Sequence, residues 1–150
     1  MANYYIADLH LRHANVIRLD GRPFPNVEEM EAEIIRRWNK RVTPQDTVYI
    51  ISDFCWQTSN AWVPILQQLK GRKALIRGNH DPKHIDGKLA KMFDDIKDYK
   101  EITDNGRRVC MSHFPIMFYN KSYHSNSYML CGHVHKYSFH DDQAAFPIVV

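Results

Sequence analysis

Long apolar runs are missing from this chain. No stretch approaches the ~18 consecutive apolar residues of a membrane-spanning helix, so no span is expected. A secretory leader is not expected either, because the first apolar run already carries Asp8 and His10, which cleavage would remove. Cysteine is scarce. Cys55, Cys110 and Cys131 are odd in number and show no CxxC spacing, so no disulfide framework is implied. Each lies in or beside an apolar run, which predicts buried, inert thiols, and a reducing cytoplasm suits them. Lys and Arg do not cluster, and a net charge of +3 leaves no nucleic-acid footprint, although it suits an anionic substrate. Repeats, low-complexity tracts and linkers are absent as well. A chain of 150 residues, 44% hydrophobic and 25% charged, reads as one ordinary globular domain with room for a real core.

Histidine, by contrast, is plentiful, at nine residues, and five of them sit at or just beyond the ends of short apolar runs. Tyr4-Tyr5-Ile6-Ala7 runs into Asp8 and His10, and Val48-Tyr49-Ile50-Ile51 runs past Ser52 into Asp53. Ala74-Leu75-Ile76 leads to Asn79, His80 and Asp81. Val109-Cys110-Met111 leads to His113, and Tyr128-Met129-Leu130-Cys131 leads to His133 and His135. Runs of this length, rich in β-branched and aromatic residues, predict buried strands. In an open α/β sheet, ligands collect beyond the carboxyl ends of the strands. Five strands would therefore deliver oxygen and imidazole groups to one place.

The remaining pattern is α/β. Strands are expected over residues 3–7, 47–51, 73–77, 99–103, 107–111 and 128–131, with a last apolar run over 146–150. Helices are expected over residues 27–40, 61–69 and 85–93. Asn105-Gly106 marks a tight hairpin between the fourth and fifth strands.

Two carboxylates, four imidazoles and one Asn amide are more than a single four-coordinate ion needs. Shared between two ions bridged by one carboxylate, they suit borderline metals such as Mn, Fe or Zn. Two ions ~3.5–4 Å apart clamp the attacking and leaving oxygens of an in-line displacement and acidify a bound water to supply the nucleophile. Phosphoryl transfer is the usual use of such a pair.

In order, Asp8-x-His10, Asp53, Gly78-Asn79-His80-Asp81, His113 and Gly132-His133-x-His135 resemble the five motifs of the calcineurin-like metallophosphoesterases. The opening resembles small stand-alone members, with His13, Asn15 and Arg22-Pro23-Phe24 following Asp-x-His. The resemblance spans about residues 4–136. It implies one metal held by Asp8, His10, Asp53 and His135, and a second held by Asp53, Asn79, His113 and His133, with Asp53 bridging. It places His80 beside the bound phosphate as the group that protonates the leaving oxygen. The implied fold is a four-layer α/β/β/α sandwich of two packed mixed sheets, with Gly78 and Gly132 either turning tightly or allowing close approach.

Two departures from the family pattern bear on this. Ser52 stands where the family usually has Gly, which would strain the backbone if that position needs positive φ. Trp56 stands where the protein-phosphatase branch has an Asp that orients the catalytic His, so His80 needs another partner, Asp81 or a backbone carbonyl. Family members also commonly continue into further sheet after the last motif, whereas this chain ends in an apolar run.

Outside the motifs, Arg12 and His13 are candidates for substrate contact, Arg12 reading first as a solvated charge. His84, His124 and His140 match no motif and read as surface residues, His124 being left open as a lining residue. The residues 116–123 read as packing or as a wall of the substrate site, with Phe118 and Tyr119 able to stack on a base. Trp38 and Trp62 read as core. The expected activity is hydrolysis of phosphate esters by a dinuclear metal centre, with small diesters such as nucleotides or cyclic nucleotides favoured. The alternatives are a catalytically weak scaffold of the same fold, a phosphomonoesterase or a nuclease. The expected partner is a small phosphate ester, with nucleic acid not indicated.

Overall fold

The computed structural model describes residues 1–85 and 87–135; the expected run 146–150 and His140 lie outside the described residues. Four strands, β1 (Asn3–Ala7), β2 (Thr47–Ile51), β3 (Arg72–Ile76) and β4 (Asp95–Lys97), form one sheet in that order, all parallel. Three more, β5 (Tyr99–Asp104), β6 (Arg107–Ser112) and β7 (Ser127–Leu130), form a second sheet. There β5 and β6 pair antiparallel and β6 and β7 parallel, so among the described residues only the second sheet is mixed. Among the described residues the first sheet departs from the expectation of two mixed sheets, because long crossovers return its four strands in the same direction.

Period-two alternation decides what each face meets. Val48, Ile50 and Leu75 face helices α2 (Val27–Arg41) and α3 (Ser59–Gln68), packing with Trp38, Trp62, Ile65 and Leu66. Tyr49, Ile51, Ala74 and Ile76 point the other way and meet Val109, Met111 and Leu130 of the second sheet. Residue Cys110, between Val109 and Met111, faces outward with Met129 and Cys131, and Ile116 and Tyr119 cover them. Helices, first sheet and second sheet are thus three stacked layers. The outer face of the second sheet is covered, among the described residues, by the loop after β6.

Helix α2 starts where Asn26 accepts a hydrogen bond from the Glu29 N–H at 2.8 Å, with Glu28 and Glu29 in the first turn and Lys40 and Arg41 in the last. Helix α1 (Ala14–Asp20) and strand β4 were not anticipated. Only Val16 of α1 is buried, and β4 is three residues long, so neither carries a period. The helix expected over 85–93 shrinks to α4 (Gly87–Ala90). Its apolar residues Leu89, Met92 and Phe93 still reach the core, but Met92 and Phe93 do so from turns. No helix of the described residues is long and apolar enough to cross a membrane.

The parallel register carries the functional consequence. Ala7, Ile51 and Ile76 are neighbours across the first sheet, so the segments that follow them leave from one edge. Met111 pairs with Leu130, so the segments after β6 and β7 also leave together. Gly132 N–H donates to the His113 carbonyl at 3.1 Å, holding the two exits side by side.

Candidate metal centre

Beyond its strands the backbone takes up a conformation that L-residues avoid. Asp8 (φ 49°), His10 (φ 48°), His133 (φ 72°) and His135 (φ 47°) are all left-handed. Each such residue costs about 1 kcal/mol or more and persists only where its surroundings enforce it. The enforcement is visible. His10 N–H donates to the Asp53 carbonyl at 3.0 Å and Leu11 N–H to the Phe54 carbonyl at 2.9 Å, so the exits of β1 and β2 stay paired after the strands end. Arg22 then clamps the turn, its guanidinium donating to the Leu9 carbonyl at 2.7 Å and the Asp8 carbonyl at 2.8 Å.

Asp53 lies at the middle of the cluster. Its Oδ2 is 3.8 Å from His10 Nε2, 3.7 Å from His113 Nε2 and 4.0 Å from His80 Nε2, while Oδ1 accepts the His80 backbone N–H at 2.9 Å. On one side, His10 Nε2 and His135 Nε2 approach to 3.1 Å, with Asp8 completing the group. On the other, Asn79 Oδ1 lies 2.7 Å from His113 Nε2 and 3.0 Å from His133 Nδ1. The Asp8 carboxylate accepts the His133 backbone N–H at 3.0 Å, tying β1 to the end of β7. All seven ligands named by the resemblance therefore converge on one patch.

The donor set suits divalent cations. His135 Nδ1 lies 3.0 Å from Asp20 Oδ2; donating that proton leaves its Nε2 bare and aimed at His10 Nε2. Two ring nitrogens facing each other at 3.1 Å can share at most one proton, and a cation between them removes the conflict. The Nδ1 atoms of His10 and His113 are buried without a hydrogen-bond partner. Burial pushes the His10 imidazole down to about 4, against the pull of Asp53, and lowers His133 as well. Neutral imidazoles keep their lone pairs for a metal. Burial raises the Asp8 carboxyl despite the His133 N–H, a cost that a bound cation would offset.

The surroundings explain several positions and correct others. Gly78 and Gly132 have ordinary φ, so their role is close approach rather than a turn. A Cβ on Gly132 would lie 2.7 Å from Asp8 Oδ2, and one on Gly78 would overlap Asp53 Oδ1. Ser52 is fully buried outside the left-handed region, so the strain considered for it does not arise. Asp81 does not orient the His80 ring, because its oxygens accept the backbone N–H groups of Gly78 at 2.7 Å and Phe54 at 3.2 Å. The His80 ring packs instead on Trp56, with centroids 4.5 Å apart. His13 stacks on the same indole at 4.1 Å and 8°, whereas Arg12 pairs with Glu31 at 3.4 Å.

Asp20 went unrecognised in the sequence. Burial pushes its carboxyl up, but the hydrogen bonds from His135 and Arg22 prevail and hold it below the usual carboxylate range. Tyr119 is a packing residue whose hydroxyl donates to the Ser127 carbonyl at 3.1 Å, and Phe118 is 85% exposed. Phe114, by contrast, packs 4.7 Å from the His133 ring. His84 and His124 are exposed. All three thiols are buried, and burial pushes Cys55 up to about 12, which suits an inert role.

Comparison with known proteins agrees with this geometry. The family model described as the calcineurin-like phosphoesterase superfamily domain matches residues 1–149. An uncharacterized protein of Methanocaldococcus jannaschii is 34% identical over 134 residues, covering 88% of this chain and 68% of its own. The crystal structure of a protein of unknown function from Aquifex aeolicus superposes with a TM-score of 0.64 at 37% identity. That match covers 77% of this chain and 62% of the other, so the chain spans less than two thirds of that neighbour. With the model match running almost end to end, the chain belongs to the calcineurin-like phosphoesterase superfamily.

Proposed function

We propose that this protein is a metal-dependent phosphodiesterase acting on small diesters such as nucleotides or cyclic nucleotides. The observation that carries the reading is Asp53 Oδ2, set between His10 Nε2 at 3.8 Å and His113 Nε2 at 3.7 Å, with His80 Nε2 at 4.0 Å. Asp8, His10, Asp53 and His135 would hold one divalent ion, and Asp53, Asn79, His113 and His133 a second. Mn is favoured over Fe or Zn. When bound, the pair supplies Lewis-acid polarisation of the phosphoryl group and acidifies water.

The chain's own groups supply the rest. His80 is half exposed at the edge of the cluster, close enough to protonate the departing oxygen without occupying a ligand position. Asp20 and Arg22 fix the ring of His135 and the carbonyls behind Asp8 and Leu9. Preference for a diester follows from charge. A diester carries one charge fewer than a monoester dianion and needs less cationic clamping. The arginines near the ligands are already engaged: Arg12 with Glu31, Arg22 with Asp20, and Arg77 with both oxygens of Asp98 at 2.7 Å. Lys83, on a cavity beside Asn79, adds a single charge.

Turnover of bis(p-nitrophenyl) phosphate and p-nitrophenyl phosphate at the same Mn concentration tests this. A higher kcat/KM for the diester is expected. A clear monoester preference would overturn the substrate class and leave family membership standing.

A further inference from the structure

Trp56 behaves unlike the other two tryptophans. Trp38 and Trp62 are buried, and their indole N–H groups donate to the carbonyls of Lys70 at 2.9 Å and Gln57 at 3.3 Å. Trp56 is 42% exposed and makes no such bond among the described residues. It is nonetheless braced. His13 lies flat on it at 4.1 Å, His80 packs at 4.5 Å inclined by 50°, and its backbone N–H donates to the Leu11 carbonyl at 2.8 Å. An exposed indole held rigid from several sides loses little conformational entropy when something covers it.

The space in front of it is a shallow, open cleft of about 460 Å³ lined by Trp56, Gln57, Thr58, Ser59, His80 and Pro82. That volume falls in the ordinary range for small-molecule sites. Its walls combine a flat aromatic surface and a proline ring with an amide and two hydroxyls, the complement of a planar heterocycle with polar edges. His80 belongs to both the cleft wall and the Asp53 cluster, so the cleft lies beside the candidate metal centre, on the flank of the group assigned above as proton donor.

We propose that this cleft is a subsite for a flat aromatic group on the leaving oxygen, a nucleobase or aryl ring, with Trp56 as its stacking platform. The assignment rests on the phosphodiesterase reading above and deepens it. It moves the aromatic contact expected of Phe118 and Tyr119 to the other flank of the site, next to the proton donor. Stacking on an aromatic side chain strengthens binding of a base roughly tenfold or more.

Two measurements on the full chain test the subsite. In the first, adenosine is titrated against tryptophan fluorescence without metal, with ribose as control. Saturable quenching by adenosine, lost in Trp56→Phe, is expected; no saturable quenching of the wild type overturns the proposal. In the second, Mn-loaded wild type, Trp56→Ala and Trp56→Phe are compared on two diesters, one releasing adenosine and one releasing ethanol. Trp56→Ala should raise KM for the adenosine-releasing diester at least tenfold more than for the other, and Trp56→Phe should restore most of the difference. Equal losses on both, carried by kcat, would mean that Trp56 only props His80 and would overturn the subsite. The fluorescence titration needs no turnover, so quenching without diesterase activity would sink the proposed function while leaving the subsite in place.

Discussion

A single proton on Asp20's neighbour decides how well one side of the cluster works. His135 can present Nε2 inward only while Nδ1 donates to Asp20, and Asp20 is held for that task by Arg22. Carboxylates that orient a metal-binding imidazole typically contribute ~10–100-fold in affinity. Asp20→Asn should therefore weaken metal binding by about that factor, as read by titration calorimetry, with secondary structure unchanged; unaltered affinity would remove Asp20 from the site. His80 has a different signature. His80→Ala should keep its metals, lose roughly 10²–10⁴-fold in turnover, and lose least with nitrophenolate, which departs without help. A uniform loss across leaving groups would assign His80 to phosphate positioning. The residues that gather at the cluster were legible because each follows a short apolar run that reads as a buried strand. Asp20 was not, since it closes a short helix and meets His135 across 115 positions of chain. The signal in the sequence is Arg22, the first residue of the Arg-Pro-Phe run, whose guanidinium donates to Asp20.

The strand exits turn these residues into a site. Alternation inside β2 and β6 sends side chains to two different layers, and the sequence shows it plainly as apolar runs. Past the last strand residue, Asp-x-His and His-x-His change meaning. With both members left-handed, the chain leaves the pleat there: Asp8, His10 and His135 gather in one group, and His133 Nδ1 lies 3.0 Å from Asn79 Oδ1. Nothing in residue type announces that conformation, whereas Asn105 and Gly106, both at positive φ, announce the β5–β6 hairpin by composition alone. Helix α1 and strand β4 stayed hidden for the opposite reason: each is too short to show a period. The glycines are the sharpest test at this scale. Gly132→Ala sets a methyl 2.7 Å from Asp8 Oδ2 and 2.9 Å from Oδ1, so the carboxylate has to move. The expected result is metal affinity reduced at least tenfold with the melting temperature of the metal-free protein lowered only modestly. Full affinity in that variant would show that Asp8 has room to spare.

Across the whole molecule, gathering imidazoles into a protein interior couples stability to pH. The His10 imidazole drops from 6.5 to about 4 on folding, because burial disfavours its charged form more than Asp53 favours it. Between those values the unfolded chain binds a proton that the native chain refuses. Stability from His10 is therefore full above about pH 6.5 and is lost as pH falls toward about 4, to a ceiling of roughly 3 kcal/mol. His13 and His133, also lowered chiefly by burial, act in the same direction. Asp8 acts against them, since its raised carboxyl holds a proton in the native state that the unfolded chain has released. Bound metals would add their own acid sensitivity, because protons compete for the same lone pairs, so the imidazole contribution has to be isolated with chelator present. In chelator, the urea midpoint should fall between about pH 7 and about pH 5, and His10→Asn should flatten that decline. An equally steep decline in the variant would mean that the acid sensitivity comes from groups other than His10. The metal centre would then cost the fold less at low pH than its buried histidine implies.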